Sequence, residues 1–121
     1  MSKDVLIHNE DDLRSKIYTI RGVQVMLDFD LAEIYGYDTK RFNEQVKNNK
    51  ERFDEDFRFQ LTKEEFDNLR SKNSTAKTKM TSKSRSLPYA FTEQGIYMLM
   101  TVLRGDLATA QSKALIRIFK Q

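Results

Sequence analysis

A glycine between two short helix-patterned segments constrains this chain more than any other feature. The segments lie in residues 28–49, which read DFDLAEIYGYDTKRFNEQVKNN. Asp28 or Asp30 can cap a first helix, because a carboxylate accepts hydrogen bonds from the free amides there. Gly36 can end that helix, since glycine readily adopts the left-handed conformation that closes many helices. The polar Asp-Thr pair that follows can cap a second helix, which reaches about residue 49.

The spacing of these segments is typical of a helix-turn-helix. That motif needs a small residue where the two helices cross, a turn glycine nearby and apolar residues that lock the pair. Ala32 supplies the small residue and Gly36 the turn. The same features also suit a helical hairpin with no role in DNA binding. The apolar residues that lock the pair are Leu31, Tyr35, Tyr37, Phe42 and Val46.

The outer face of the second helix holds the side chains that can contact DNA. At about 100° per residue, Phe42 and Val46 share the inner face. Amide and cationic groups can hydrogen-bond base edges, while lysines contact phosphates. Glu44 fits less well, because it would lie near phosphate unless it accepts from a cytosine amino group. The outward-facing candidates for DNA contact are Thr39, Lys40, Arg41, Asn43 and Lys47.

The distribution of charge favours an anionic partner. The net charge is +3 and the pI about 9.1. From Arg70 to Arg85 there are six bases and no acid, and a segment of one sign suits an anionic partner. The same composition also suits a solvated loop. Within this segment the candidates for contact with the DNA backbone are Lys77, Lys79, Lys83 and Arg85.

Local patterns in the first half of the chain predict a small sheet. Residues 17–27 hold two runs rich in β-branched and aromatic side chains around an Arg-Gly pair, which predicts a hairpin. Residues 57–61 alternate apolar and polar side chains, as a half-buried strand does. Thr62 and Glu65 have the spacing of a capping box, which predicts a helix to about residue 71.

The second half of the chain predicts one more strand and two helices. Residues 71–86 are poor in apolar side chains, so we expect a mobile basic loop or a loosely paired β-wing. Residues 87–91 fit an edge strand, which tolerates Pro88. Thr92 can cap the next helix, and a last helix starts near residue 107. The fold class is therefore α+β: a small sheet, a helix-turn-helix-like pair and C-terminal helices.

Enzyme chemistry finds little support in the sequence. The chain has one histidine, His8, and no cysteine, so a nucleophile activated by histidine has almost no basis. Asp28, Asp30 and Glu33 could form a magnesium cluster, but helix capping and the helix dipole explain these acids better. We expect a non-enzymatic protein without metal or cofactor.

The domain organisation and location of the protein are predicted from simple patterns. We expect residues 1–16 to form a polar tail and residues 17–121 to form one domain. The last helix reaches Gln121 without a stop signal, so we expect the chain to be the N-terminal part of a longer protein. Apolar residues on that helix are candidates for homodimer contacts, although core packing explains them equally. No apolar run approaches the roughly 20 residues of a membrane span, which favours a cytoplasmic, nucleoid-associated protein.

Four long, collinear blocks carry a family resemblance. They read RGVQVMLDFDLAEIYG, TKRFNEQVKNN, DFRFQLTKEE and AFTEQG. The sequence resembles the Orf-six N-terminal domain family of the KilA-N/Bro-N superfamily, found in phages, prophage-bearing bacteria and large DNA viruses. The resemblance spans about residues 17–120. It implies an α+β domain that binds double-stranded DNA in a phage- or prophage-derived, antirepressor-like regulatory protein.

Alternatives remain at this point. The chain could be a protein-interaction module, for example one that binds a phage repressor, or a divalent-metal nuclease. The AFTEQG block also has two explanations. Thr92 can cap a helix whose dipole Glu93 favours, which is the account we prefer. Otherwise Gln94 and the free amides at this helix N-terminus hold a phosphate.

Overall fold

The computed structural model describes residues 10–72 and 86–119, which form six α-helices and one four-stranded antiparallel sheet. The strands are β1 (Tyr18–Ile20), β2 (Val23–Leu27), β3 (Arg58–Gln60) and β4 (Tyr89–Phe91). The helices are α1 (Glu10–Arg14), α2 (Asp28–Tyr35), α3 (Thr39–Lys47), α4 (Lys63–Lys72), α5 (Glu93–Leu103) and α6 (Gly105–Phe119). The strand order is β1-β2-β4-β3. The predicted α+β class is confirmed.

The sheet separates two hydrophobic cores. Side chains alternate between the two faces along each strand, so neighbouring residues join different cores. The smaller core lies beneath α4 and includes Leu27, Phe59 and Leu69. The larger core unites Met26 and Phe91 of the sheet with α2, α3, α5 and α6. The helix-turn-helix-like pair and α4 therefore lie on opposite faces of the sheet.

The turn between α2 and α3 forms as predicted. Gly36 ends α2 with a φ of 82°, and the amide of Tyr37 donates to the carbonyl oxygen of Ala32 at 2.8 Å. This is the hydrogen bond of a Schellman motif, which needs the left-handed conformation at the glycine. Asp38 then caps α3 by accepting from the amide of Arg41 at 2.8 Å.

Phe42 anchors α3 to the rest of the domain. The side chains of Phe42 and Val46 are fully buried. The Phe42 ring lies 5.6 Å from that of Phe91 in the sheet, 6.3 Å from Tyr35 and 6.5 Å from Tyr37, measured between centroids. Aromatic pairs at such distances add to the free energy of burial. The orientation of α3 is thus set by packing against both α2 and the sheet.

The predicted hairpin and capping box are both confirmed, and one ion pair joins them. Arg21 and Gly22 form a two-residue turn with φ values of 57° and 78°. Arg21 donates to both carboxylate oxygens of Glu65, at 2.8 and 3.0 Å. Glu65 also accepts from the amide of Thr62 at 2.8 Å, while the Thr62 hydroxyl accepts from the Glu65 amide at 3.1 Å. The start of α4 is therefore tied to the hairpin.

The AFTEQG block joins β4 to α5. The hydroxyl of Thr92 accepts from the amide of Gly95 at 3.3 Å and donates to the carbonyl oxygen of Asp56 at 2.7 Å. A Cβ atom at Gly95 would overlap the carbonyl oxygen of Phe57. The predicted Thr92 cap is confirmed, and the glycine is required because two backbone segments approach closely here.

The edge position predicted for β4 is wrong. The strand lies between β2 and β3 and pairs with both. Pro88 does not prevent this, because β4 begins at Tyr89 and the missing N–H falls outside the ladder. Pro88 instead accepts a hydrogen bond from the amide of Leu61 at 3.0 Å.

The polar tail predicted for residues 1–16 is wrong for its described part. Residues Glu10–Arg14 form α1, and Leu13 is only 6% exposed within the larger core. A single apolar residue among charged neighbours has no periodicity, so its burial depends on contacts distant in sequence.

The C-terminal helix belongs to the same core as α2. The hydroxyl groups of Tyr35 and Ser112 share a hydrogen bond of 2.5 Å, and the Gln111 side chain donates to the carbonyl oxygen of Ile34 at 2.9 Å. All of these contacts are buried. Burial raises the pKa of the Tyr35 hydroxyl, which keeps it neutral. α6 is thus an integral part of the domain.

Substitution of Gly95 tests the close approach of the two backbones. We expect Gly95→Ala to lower the free energy of unfolding by about 3 kcal/mol, because the added methyl group forces the Phe57 carbonyl away. Gln94→Ala, at an exposed neighbouring position, should change it by no more than about 0.5 kcal/mol. Urea unfolding measures both. Equal stabilities of the two variants would contradict the packing described.

Glu65 makes part of the stability dependent on pH. Hydrogen bonds from Arg21 hold the pKa of this carboxyl below its ordinary value. Its contribution is therefore present above the ordinary pKa of about 4.3 and is lost as the pH falls through the lowered value. We expect Glu65→Gln to destabilise the protein at pH 7, with the difference from wild type shrinking below about pH 4.

The matched control is Glu64→Gln at the preceding, exposed position, which has no ion pair within residues 10–72 and 86–119. Urea unfolding across the pH range compares the two variants. A Glu65→Gln difference that does not vary with pH would argue against the ion pair.

Candidate nucleic-acid interface

The outer surface of α3 presents exposed positive charge. Thr39, Lys40, Arg41 and Lys47 are all exposed, as predicted. Within the part of the chain that the structure describes, no carboxylate pairs with the three cations. Glu44 is exposed on the same helix. These cations are free to neutralise the charge of an anionic ligand.

Asn43 differs from the other four candidates. The outward orientation predicted for Asn43 is wrong. Its side chain is half-buried, and Nδ2 donates to Oδ2 of Asp28 at 3.0 Å. The other amide atom, Oδ1, is buried and accepts no hydrogen bond from the described residues. Position 43 lies at the flank of α3, beside the buried face, so a strong acceptor on α2 can turn the amide inward. The side-chain amide of Asn43 therefore forms a hydrogen bond within the fold.

Asp28 is the acceptor that holds three segments together. Its carboxylate is 4% exposed and accepts from the amide of Phe29 at 2.8 Å, the Asn43 side chain at 3.0 Å and the amide of Tyr89 at 3.2 Å. Burial raises the pKa of this carboxyl, whereas the three hydrogen bonds act to lower it. The start of α2, the flank of α3 and the start of β4 therefore meet at one charged group.

The capping role predicted for Asp28 or Asp30 is wrong. The N-cap of α2 is Leu27, without a side-chain hydrogen bond, and Asp28 is the first helical residue. Sequence reasoning missed the role of Asp28 because Asn43 and Tyr89 are 15 and 61 residues away along the chain. The sequence did hold a weak signal, because Asp28 directly follows the apolar run of β2. A carboxylate buried at such a position needs hydrogen-bond partners from the protein.

The structure leaves part of the predicted site untested. Lys77, Lys79, Lys83 and Arg85, the residues predicted to contact the DNA backbone, lie outside the described residues. The described beginning of the basic segment is the last turn of α4, where Arg70 lies 4.0 Å from Asp67. These backbone contacts stay predictions.

A metal site is not found in residues 10–72 and 86–119, where no three acidic or histidine side chains are grouped to hold an ion. Both oxygens of Asp28 already accept hydrogen bonds from the protein. Asp30 is also buried. Burial and the nearby Asp30 carboxylate raise the pKa of Tyr18 to about 12. These two acids of the considered magnesium cluster therefore lie in the interior of the fold.

The Asn43–Asp28 hydrogen bond can be tested by truncation. We expect Asn43→Ala to lower the free energy of unfolding by about 2 kcal/mol, because it removes a donor from a buried carboxylate. Glu44→Ala, on the exposed side of the same helix, should change it by less than about 0.5 kcal/mol. Urea unfolding at neutral pH distinguishes them. An Asn43→Ala variant as stable as Glu44→Ala would mean that the bond contributes nothing.

Comparison with known proteins places the chain in a family. The ORF6N domain, which is the Orf-six N-terminal domain of the resemblance above, matches residues 15–102. No curated protein and no solved structure matches significantly. None of the helices in the described part of the chain is long and apolar enough to cross a membrane. The matched range covers most of the chain, including the whole sheet and both α2 and α3, so the protein belongs to the ORF6N domain family.

Proposed function

We propose that this chain is the DNA-binding domain of a phage- or prophage-derived, antirepressor-like regulatory protein. Membership of the ORF6N family points to a phage-type regulatory protein, and the ORF6N domain is a non-enzymatic domain type. The observation that carries the DNA-binding part of the proposal is the outer surface of α3. Its cations, Lys40, Arg41 and Lys47, are exposed and have no carboxylate partner among the described residues.

The way in which α3 is held supports a role in the major groove. A recognition helix needs a fixed orientation, because its side chains must reach base edges with correct geometry. Phe42 and Val46 fix the inner face of α3 by burial, and Asp28 fixes its flank through Asn43. The exposed side chains are thus presented from a rigid support rather than from a loop.

The side chains of α3 suit different parts of a DNA duplex. Arg41 can donate two hydrogen bonds to a guanine, which is the commonest specific contact in the major groove. Lys40 and Lys47 suit phosphates, and the hydroxyl of Thr39 lies near the free amides of a helix N-terminus, which favour anions. Glu44 can accept from a cytosine amino group. We also propose that Lys77, Lys79, Lys83 and Arg85 contact adjacent phosphates.

Salt dependence tests the proposal directly. If about six phosphates are neutralised, affinity for a random-sequence duplex should fall about a thousandfold between roughly 50 and 200 mM salt. Fluorescence anisotropy with a labelled duplex gives the dissociation constants. Absence of binding at low salt, or binding that ignores salt, would overturn the proposal and favour a protein-interaction module that binds a phage repressor or another regulator.

Single lysine substitutions locate the binding surface. We expect Lys40→Gln and Lys47→Gln each to weaken binding and to reduce the slope of log K against log salt by about one unit, since each removes one phosphate contact. Lys63→Gln removes the same charge from α4, where Lys63 pairs with Asp67 at 3.2 Å, and should leave the slope unchanged. Equal effects of all three variants would show that α3 is not the binding surface.

A further inference from the structure

Arg58 lies on the face of the sheet that carries α3. It belongs to β3, an edge strand, and the next residue, Phe59, points into the smaller core beneath α4. Because side chains alternate along a strand, Arg58 points to the opposite face. Its guanidinium carbon lies 4.2 Å from the ring centroid of Tyr89 and 5.9 Å from that of Phe53. Two aromatic rings therefore hold this side chain in place.

The guanidinium of Arg58 has N–H donors without acceptors among the described residues. Its Nε is buried and has no acceptor among the described residues, and no carboxylate there forms an ion pair with it. The two terminal nitrogens form no hydrogen bond within the described residues either, and the side chain as a whole is only half-buried. Arg21 provides the contrast, since Glu65 accepts from its guanidinium at 2.8 and 3.0 Å.

Arg58 is linked to the flank of α3 through two residues. Its guanidinium stacks on Tyr89, the amide of Tyr89 donates to the carboxylate of Asp28 at 3.2 Å, and Asp28 accepts from Asn43 of α3. At about 100° per residue, Lys40 and Lys47 lie about 40° to 60° around the helix from Asn43, toward solvent. Arg58, Lys40 and Lys47 therefore line the same side of the domain.

We propose that Arg58 binds a backbone phosphate of double-stranded DNA beside α3 and thereby helps to set the position of α3 in the groove. This inference rests on the proposed function. A guanidinium presents two parallel N–H groups to a phosphate, and aromatic stacking leaves less side-chain entropy to be lost on binding. Asp28 forms no ion pair with the guanidinium of Arg58, because its carboxylate lies beyond ion-pair distance. That carboxylate also already accepts three hydrogen bonds.

Arg21 supplies a matched control on the opposite face. It too stacks on an aromatic ring, with its guanidinium carbon 4.1 Å from the Phe59 centroid. Phe59 belongs to the smaller core, and Glu65 accepts from the guanidinium of Arg21. Substitution of either arginine removes one positive charge and one cation–aromatic contact.

The test measures binding of each variant to a random-sequence duplex over a range of salt concentrations. We expect Arg58→Gln and Arg58→Met to weaken binding and to reduce the salt slope by about one unit. The methionine variant keeps an unbranched side chain against Tyr89 and Phe53, so it serves if the glutamine variant unfolds. Arg58→Lys should retain the slope because it retains the charge, and the salt slope of Arg21→Gln should match that of wild type.

The outcomes separate this contact from the function on which it rests. A folded Arg58→Gln or Arg58→Met protein with the wild-type salt slope would overturn the contact alone. A loss of slope in Arg58→Lys as large as in Arg58→Gln would overturn it as well, because the effect would then not follow charge. Absence of binding by the wild type at low salt would overturn the proposed function and the contact together.

Discussion

The buried carboxylate of Asp28 is the interaction on which the arrangement of this domain depends. A charge in the interior is tolerated only when hydrogen bonds replace the water it has lost, and here the donors come from α2, α3 and β4. Each donor is therefore held at hydrogen-bonding distance from the same carboxylate. Phe42, packed on Phe91 and Tyr35, completes the attachment of α3. Together the two constraints set the orientation of α3 relative to the sheet.

The two faces of the sheet differ in how their charged side chains are used. Beneath α4, Arg21 and Glu65 satisfy each other and join the hairpin to a helix start. On the other face, Lys40, Lys47 and Arg58 have no carboxylate partner in the described part of the chain. Unpaired cations contribute little to stability but interact strongly with a polyanion. The asymmetry is what makes the α3 side the better candidate for binding DNA.

Much of the local structure, and part of the candidate site, could be predicted from the sequence. The Gly36 turn, the Thr62–Glu65 capping box and the Thr92 cap all rest on partners within six residues, where backbone geometry alone brings the groups together. The exposure of Lys40 and Lys47 followed from helical periodicity in the same way. The inward turn of Asn43 did not, because its cause is an acceptor on another helix.

The sequence by itself determined most of the helices and strands after residue 16, and which family the chain belongs to, because these depend on short-range patterns of side-chain type. Only the tertiary structure decided that β4 is central, that Leu13 is buried and that Arg58 stacks on Tyr89. These features arise from the pairing of strands and the packing of helices far apart in the chain, where burial and unsatisfied hydrogen bonds select one arrangement among many.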